Sequence, residues 1–244
     1  MDFLIGMKDV FINNFDRFLK GTLLTLLISF IGTVIGLIIG IIVGIIRTIP
    51  ESDNKVKNFF LKVFKGLANI YVQVFRGTPM ILQSALLYYG LKDLYDIDFT
   101  PLAAACIIVS INTGAYLAEV VRGGINSIDK GQFEAASALG MNHTQTMLHV
   151  VLPQAFKNII PSIGNEFIVN IKDTSVLNVI SVNELFFATN SIVGATYKFA
   201  EPYLITSLIY LTLTLSVAYL LGLLEKKISG PSSYELSDVL KSAN

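Results

Sequence analysis

Apolar positions in this chain gather into long unbroken runs, without the narrow stripes of a soluble amphipathic helix or the alternation of a half-buried strand. Residues 22–46 contain no charged side chain. A helix needs roughly 20 mostly apolar residues to cross a bilayer, so this run predicts a first span. Within it Gly32, Gly36, Gly40 and Gly44 recur every fourth residue. That spacing lines them up on one helix face, where a second helix can approach closely. A second apolar stretch, 57–91, starts among Lys57, Lys62 and Lys65 and is interrupted by Arg76, Gly77, Thr78 and Pro79. Snorkelling lysines suit an interfacial start, and Pro79 removes a backbone donor while disfavouring helix at Thr78. The pattern predicts one kinked span. Further spans are expected at 101–121, opening on Pro101, at 161–185, and at 203–224, which ends on Glu225, Lys226 and Lys227.

Composition agrees with a lipid-facing protein. Of 244 residues, 53% are hydrophobic and only 15% charged, against about 25% charged in a typical soluble domain. Net charge is zero, so nothing points to nucleic acid. The lone Cys106 cannot form an intrachain disulfide, and residues 1–20 lack the layout of a cleavable signal peptide. The first apolar run is therefore expected to remain in the mature chain. The expected architecture is all-α: one integral membrane domain over 1–228 with about five transmembrane helices, and a short polar tail at 229–244. Five spans put the termini on opposite sides. Cytoplasmic loops are enriched in Lys and Arg; Arg47, Lys55, Arg122, Lys130, Lys157 and Lys226 would share one side, and Asp93, Asp96 and Asp98 the other. The C-terminus is expected in the cytoplasm and the N-terminus outside.

The connection 122–158 is the longest between spans, and it carries helix punctuation. Asp129 with Gln132, and Asn142 with Gln145, have capping-box spacing. Gly140 stands where a helix would end, and Pro153 follows the second stretch. Two short helices joined by a tight turn are predicted. Ala135, Ala136, Ala138 and Leu139 beside Glu134 make a small, flat apolar face. From composition alone it suits either docking into a partner's groove or packing against its own subunit.

Motifs in this connection and around it carry a resemblance. Glu134-Ala135-Ala136, then Gly140, then Leu152-Pro153 resembles the EAA loop of ATP-binding-cassette importer permeases. Arg76-Gly77-Thr78-Pro79, Ala118–Ile125, Lys130-Gly131-Gln132, Leu152–Ala155 and Lys172-Asp173-Thr174-Ser175 are similar to motifs of the polar amino acid group, the histidine, arginine and glutamine type. Val176 departs conservatively from the Leu usual there. The resemblance implies a coupling surface formed by Glu134, Ala135, Ala136, Gly140, Leu152 and Pro153. It also implies a second permease subunit, identical or paralogous, two cytoplasmic ATPase subunits that bind ATP and Mg, and an extracytoplasmic amino-acid-binding protein. The chain itself is expected to be no enzyme and to hold no cofactor. It lacks a phosphate-loop motif, and His143 and His149 do not have zinc-helix spacing.

Ionisable residues inside a span are costly and default to functional candidates. Glu166, Asn170 and Asp173 fall on one helical stripe with Thr174 beside it. With Arg76 and Thr78 they form the expected substrate-binding set: carboxylates for an ammonium, arginine and broken backbone for a carboxylate. Alternatively, Lys172 and Asp173 satisfy one another and Glu166 sits between subunits. Function classes in competition are an importer permease for another small solute, a secondary transporter or channel subunit, and a membrane-embedded enzyme. The last lacks any visible nucleophile–base pair.

Overall fold

The apolar runs fold as helices whose ends are set by local capping. The computed structural model describes residues 2–51 and 54–229, and within these every regular element is helical. A short helix α1 (Asp2–Asn13) turns at Asn14 into α2 (Phe15–Thr48). The N-cap side chain of Asn54 accepts from the Val56 and Lys57 amides at the start of α3 (Lys55–Gly77). After the break at Thr78-Pro79 the chain resumes as α4 (Met80–Ala85), a π-helical turn at Leu86–Gly90 and α5 (Leu91–Tyr95). Thr100 caps α6 (Pro101–Asn126), with Pro101 in the first turn, as the sequence predicts.

Close approach of α2 and α6 organises the molecule. A Cβ added at Gly36 would lie 2.8 Å from the Thr113 side chain, and one at Gly40 only 2.7 Å from Leu117 Cβ; Gly44 faces Val121 in the same way, and Gly32 faces Val109. Both series step by four in the same sense, so the two helices run parallel. Lipid tails are as apolar as leucine, so this contact rests on shape and dispersion, with little hydrophobic drive.

Three differences from the sequence reading stand out. First, the hairpin's second arm is not a separate short helix. After α7 (Lys130–Ala138), α8 (His143–Thr146) passes through a π-helical turn (Met147–Val151) straight into α9 (Leu152–Asp173). The Leu152 amide donates to Met147 O, five residues back. This wider turn admits Pro153, which has no amide to donate, without ending the helix. Second, Pro161 lies inside α9 rather than at its start. Third, the span expected at 161–185 stops as α-helix at Asp173. A 3-10 turn (Thr174–Ile180) follows, Ser181 takes φ 59°, and α10 (Leu185–Thr196) begins at the Glu184 cap. The last helix is α11 (Ala200–Ser229). The polar tail beyond Ser229 lies outside the described residues.

Among the described residues, α2, α6 and α11 are each long and apolar enough to cross a membrane, and the helix through α9 makes a fourth candidate only together with α10, as a pair bent by 53°. The broken α3–α5 stretch is not among them; its lysines and its proline break account for this. Buried side chains form three groups: Ile28, Ile108, Val109, Leu177 and Ile180 near the 3-10 turn; Val121, Ile125, Val151 and Ile159 near the hairpin; and Val10, Phe18, Leu185, Ile192 and Ile205 at the opposite end.

The glycine contact generates a test. Gly40→Val forces the branched side chain into Leu117 and is expected to cost on the order of 2 kcal/mol. Gly66→Ala, where a new Cβ meets nothing within 4 Å, is expected to cost nothing. Thermal unfolding of the two detergent-purified variants should separate them by several degrees; equal midpoints would remove the glycine face as a packing determinant.

Candidate functional site

The break in the second apolar stretch leaves carbonyls unpaired within the chain's apolar depth, where each would be costly. Two amides close it. Gln83 Nε2 donates to Phe75 O at 3.0 Å and Thr78 O at 2.9 Å, and also to the Thr78 hydroxyl. Asn112 of α6 donates to Gln83 Oε1 at 2.9 Å and to Phe75 O at 3.3 Å. The Thr78 hydroxyl donates to Val74 O. Thr78, expected to bind substrate, thus spends its hydroxyl on the break. Gln83 and Asn112 were missed by the sequence reading. Their one signal was an uncharged amide inside an otherwise apolar run.

About two helical turns along α6 from Asn112, Glu119 gathers three arginines. Its Oε1 lies 2.7 Å from Arg47 Nη1 and 3.8 Å from Arg76 Nη1, and its Oε2 accepts from Arg122 at 2.8–2.9 Å. Arg47 also donates to Asn69 Oδ1 at 2.7 Å. The Arg76 guanidinium stands over the Tyr116 ring, 5.3 Å from its centroid, and its side chain remains 43% exposed. Three cations around one anion leave a surplus of positive charge. Arg76 is the most loosely held of the three.

The polar stripe of α9 divides by environment. Asn170 is buried and accepts from Thr113 of α6 at 3.0 Å while donating to Thr33 of α2 at 2.9 Å. Thr174 is fully buried and donates to Ile171 O. Both were expected to contact substrate; Asn170 ties α9 to α2 and α6, and Thr174 is buried with its hydroxyl spent on its own segment, because this edge is turned into the chain. Glu166 is half-buried, and Lys172 and Asp173 are exposed. Glu166 lies within electrostatic range of both Arg76 and Asp173. Of the expected set, Glu166 is therefore the residue that lies near both Arg76 and Asp173. Glu184, also missed, is buried at the head of α10, where it accepts from the Phe186 and Phe187 amides and the Tyr210 hydroxyl.

The hairpin is closely capped. Asp129 accepts from the Gly131 amide, and Asn142 with Gln145 forms the complete reciprocal box. At Asp129 the box is incomplete, since Gln132 pairs with Gln154 instead. Gly140, at φ 78°, closes α7: its amide donates to Ser137 O, and that of Met141 to Ala136 O. Only glycine takes this left-handed position readily. Glu134, Ala135, Ala138 and Leu139 are exposed, Leu139 at 82%. Pro153 is also exposed and Leu152 is half-buried. Ala136 is buried within the chain, which corrects its place on the expected coupling face: it seats the helix from beneath. Among the described residues no group of three His, Cys, Asp or Glu side chains could hold a metal ion.

The arginine transport system permease protein ArtQ of Bacillus subtilis (strain 168) is 40% identical over 174 residues, covering 71% of this chain and 78% of its own length. The glutamine transport system permease protein GlnP of Escherichia coli (strain K12) is 35% identical over 175 residues, covering 69% and 80%. The crystal structure of an amino acid ABC transporter with histidines matches with a TM-score of 0.80 at 36% identity, over 93% of this chain and 99% of that one. The inward-facing methionine transporter MetNI has the same fold, with a TM-score of 0.73 at 17% identity, over 88% and 97%. The profile described as "Binding-protein-dependent transport system inner membrane component" matches residues 56–230. On these grounds the chain belongs to the family of inner membrane components of binding-protein-dependent transport systems.

Proposed function

We infer that this chain, the permease subunit of an ABC importer for amino acids, holds a polar amino acid between a positive pole at Arg76 and a negative pole at Glu166 and Asp173. The observation that carries the reading is the separation of charge. Glu119 leaves a net positive cluster on the α3–α6 side, and on α9 Glu166 stands within electrostatic range of Arg76 and of its neighbour Asp173. A zwitterion presents a carboxylate to the first and an ammonium to the second, so both intramembrane charges gain a partner when cargo arrives. Relatives named for arginine and glutamine transport support a polar amino acid as cargo.

The chain works with an ATPase and a binding protein, and hydrolysis belongs to the separate ATPase subunit. ATP and Mg are assigned to that partner. The proposed assembly pairs two permease chains with two ATPase subunits and one extracytoplasmic binding protein. The end of α6 and the hairpin share a face with the end of α2, while α1 and the start of α10 pack at the opposite end. With the lysine- and arginine-rich face in the cytoplasm, the N-terminus is outside and the C-terminus inside. Because α2 and α6 run parallel, the chain between them must cross back, and the broken α3–α5 stretch supplies that return. The exposed face of α7, with Glu134, Ala135, Ala138 and Leu139, then docks the ATPase, and alternating access follows from its nucleotide cycle.

Two measurements test this. Asp173→Asn is expected to reduce ATP-driven uptake of labelled arginine or glutamine into proteoliposomes by about tenfold or more, in the range of losing one charge-assisted bond, while the ATPase still copurifies. Undiminished uptake would remove Asp173 from the site. Glu134→Lys reverses a charge on the docking face and is expected to reduce ATPase recovery in a pull-down. Full recovery would place the interface elsewhere.

A further inference from the structure

Arg76 is restrained from two sides. Glu119 Oε1 stands 3.8 Å from its Nη1, and the Tyr116 ring lies beneath its guanidinium at 5.3 Å. Both partners project from α6, where Asn112, Tyr116 and Glu119 are spaced four and three residues apart and so share a stripe facing α3. The third member of that stripe, Asn112, binds the carbonyl of Phe75, the residue preceding Arg76. One face of α6 therefore holds the Arg76 backbone from one side and its head group from two more.

The grip on the head group is deliberately weak in one respect. Glu119 is already engaged by Arg47 at 2.7 Å and by Arg122 at 2.8 Å. Its two oxygens have little left for a third cation, and Arg76 is attracted without being bound face to face. A guanidinium has five N–H donors in a planar fork, and stacking over an aromatic ring uses none of them. Had Arg76 been the sole partner of Glu119, the pair would have been neutral and its fork occupied.

We propose that Tyr116 and Glu119 are positioning residues that aim the Arg76 fork at the cargo carboxylate, with Arg47 and Arg122 limiting how much of Glu119 remains for Arg76. This rests on the reading of Arg76 as a cargo contact. A fork already oriented loses less freedom on binding than one that must be ordered by the cargo. The positioning therefore acts on apparent affinity and leaves turnover of the bound state largely untouched.

The test uses the permease reconstituted with its ATPase and binding protein in proteoliposomes, with labelled L-arginine and L-glutamine as probes. Tyr116→Leu removes the ring face and is expected to raise the half-saturating concentration about fivefold, in the range of one solvent-exposed cation–π contact, with maximal rate held. Tyr116→Phe keeps the ring and should restore the wild-type value. Glu119→Gln should shift the same parameter in the same direction. In an Arg76→Ala background, Tyr116→Leu should add nothing, since the two act as a unit. If Tyr116→Phe and Tyr116→Leu behave alike, or Tyr116→Leu retains its full effect without Arg76, the positioning role is overturned. An Arg76→Ala variant with unaltered half-saturation would instead overturn the reading of Arg76 as a cargo contact. Raised half-saturation in Arg76→Ala with none in Tyr116→Leu sinks the positioning alone. The Tyr116 pair keeps the test decisive even if Glu119→Gln, which strands three arginines, fails to fold.

Discussion

The contact that everything else depends on is the parallel packing of α2 against α6. In hydrocarbon, two helices gain little from hiding apolar side chains from an equally apolar solvent, so they adhere by fitting closely. Four glycines at one spacing let the backbone of α2 approach Val109, Thr113, Leu117 and Val121 of α6. With that face fixed, the remaining faces of α6 become a frame. Thr113 ties α9 to the pair through Asn170, which also reaches Thr33 of α2. Asn112, Tyr116 and Glu119 meet α3 on another side. Polar residues along a single rigid helix thus set the depth and direction of those around it.

Irregular backbone survives at depth only where side chains or buried surroundings satisfy it, and here two of the breaks have side-chain partners of their own. Gln83 and Asn112 complete the break at Thr78-Pro79. Glu184 serves the two amides that open α10, and it in turn accepts from Tyr210 of α11. These are long-range arrangements in sequence, so each fixes a tertiary contact as well as a local bend. The charged residues nearby follow the same logic: Glu119 is tolerable because three arginines surround it, and their excess charge is what makes the neighbourhood attractive to an anion.

Much of this was legible in the chain because it is local. The glycine register, the Pro101 start, the break at Thr78-Pro79, the Gly140 turn and the Asn142–Gln145 box each follow from a few neighbouring residues and their preferred torsions. What was not legible depends on which neighbour a side chain meets. Periodicity placed Glu166, Asn170 and Asp173 on one stripe, but it could not say that the Asn170 and Thr174 edge would face α2 and α6 while Glu166 and Asp173 stayed accessible. Ala136 was grouped with exposed alanines for the same reason, since a nine-residue helix buries one edge and shows the others. Pro153 misled in the opposite direction: a proline usually signals a boundary, but a π-helical turn ahead of it lets the helix continue.

That continuity changes the mechanics expected of the hairpin. Two short helices followed by a separate span would place a joint between the docking face and the membrane, and a joint absorbs motion. Instead, the arm beginning at His143 continues through the turn at Met147–Val151 to Asp173, a rod of about 45 Å at 1.5 Å per residue. Glu166 and Asp173 sit near its far end. Arg76 lies off this rod, on α3, braced against α6. A tilt imposed on the hairpin by a docked ATPase would therefore move the negative pole of the proposed site relative to the positive pole, changing the gap a zwitterion must bridge. Two soft points lie along the rod, the π-helical turn close to the hairpin and Pro161 inside α9, and both precede the carboxylates. Bending there lets the docking face adapt to its partner while the segment that carries the charges moves as a unit.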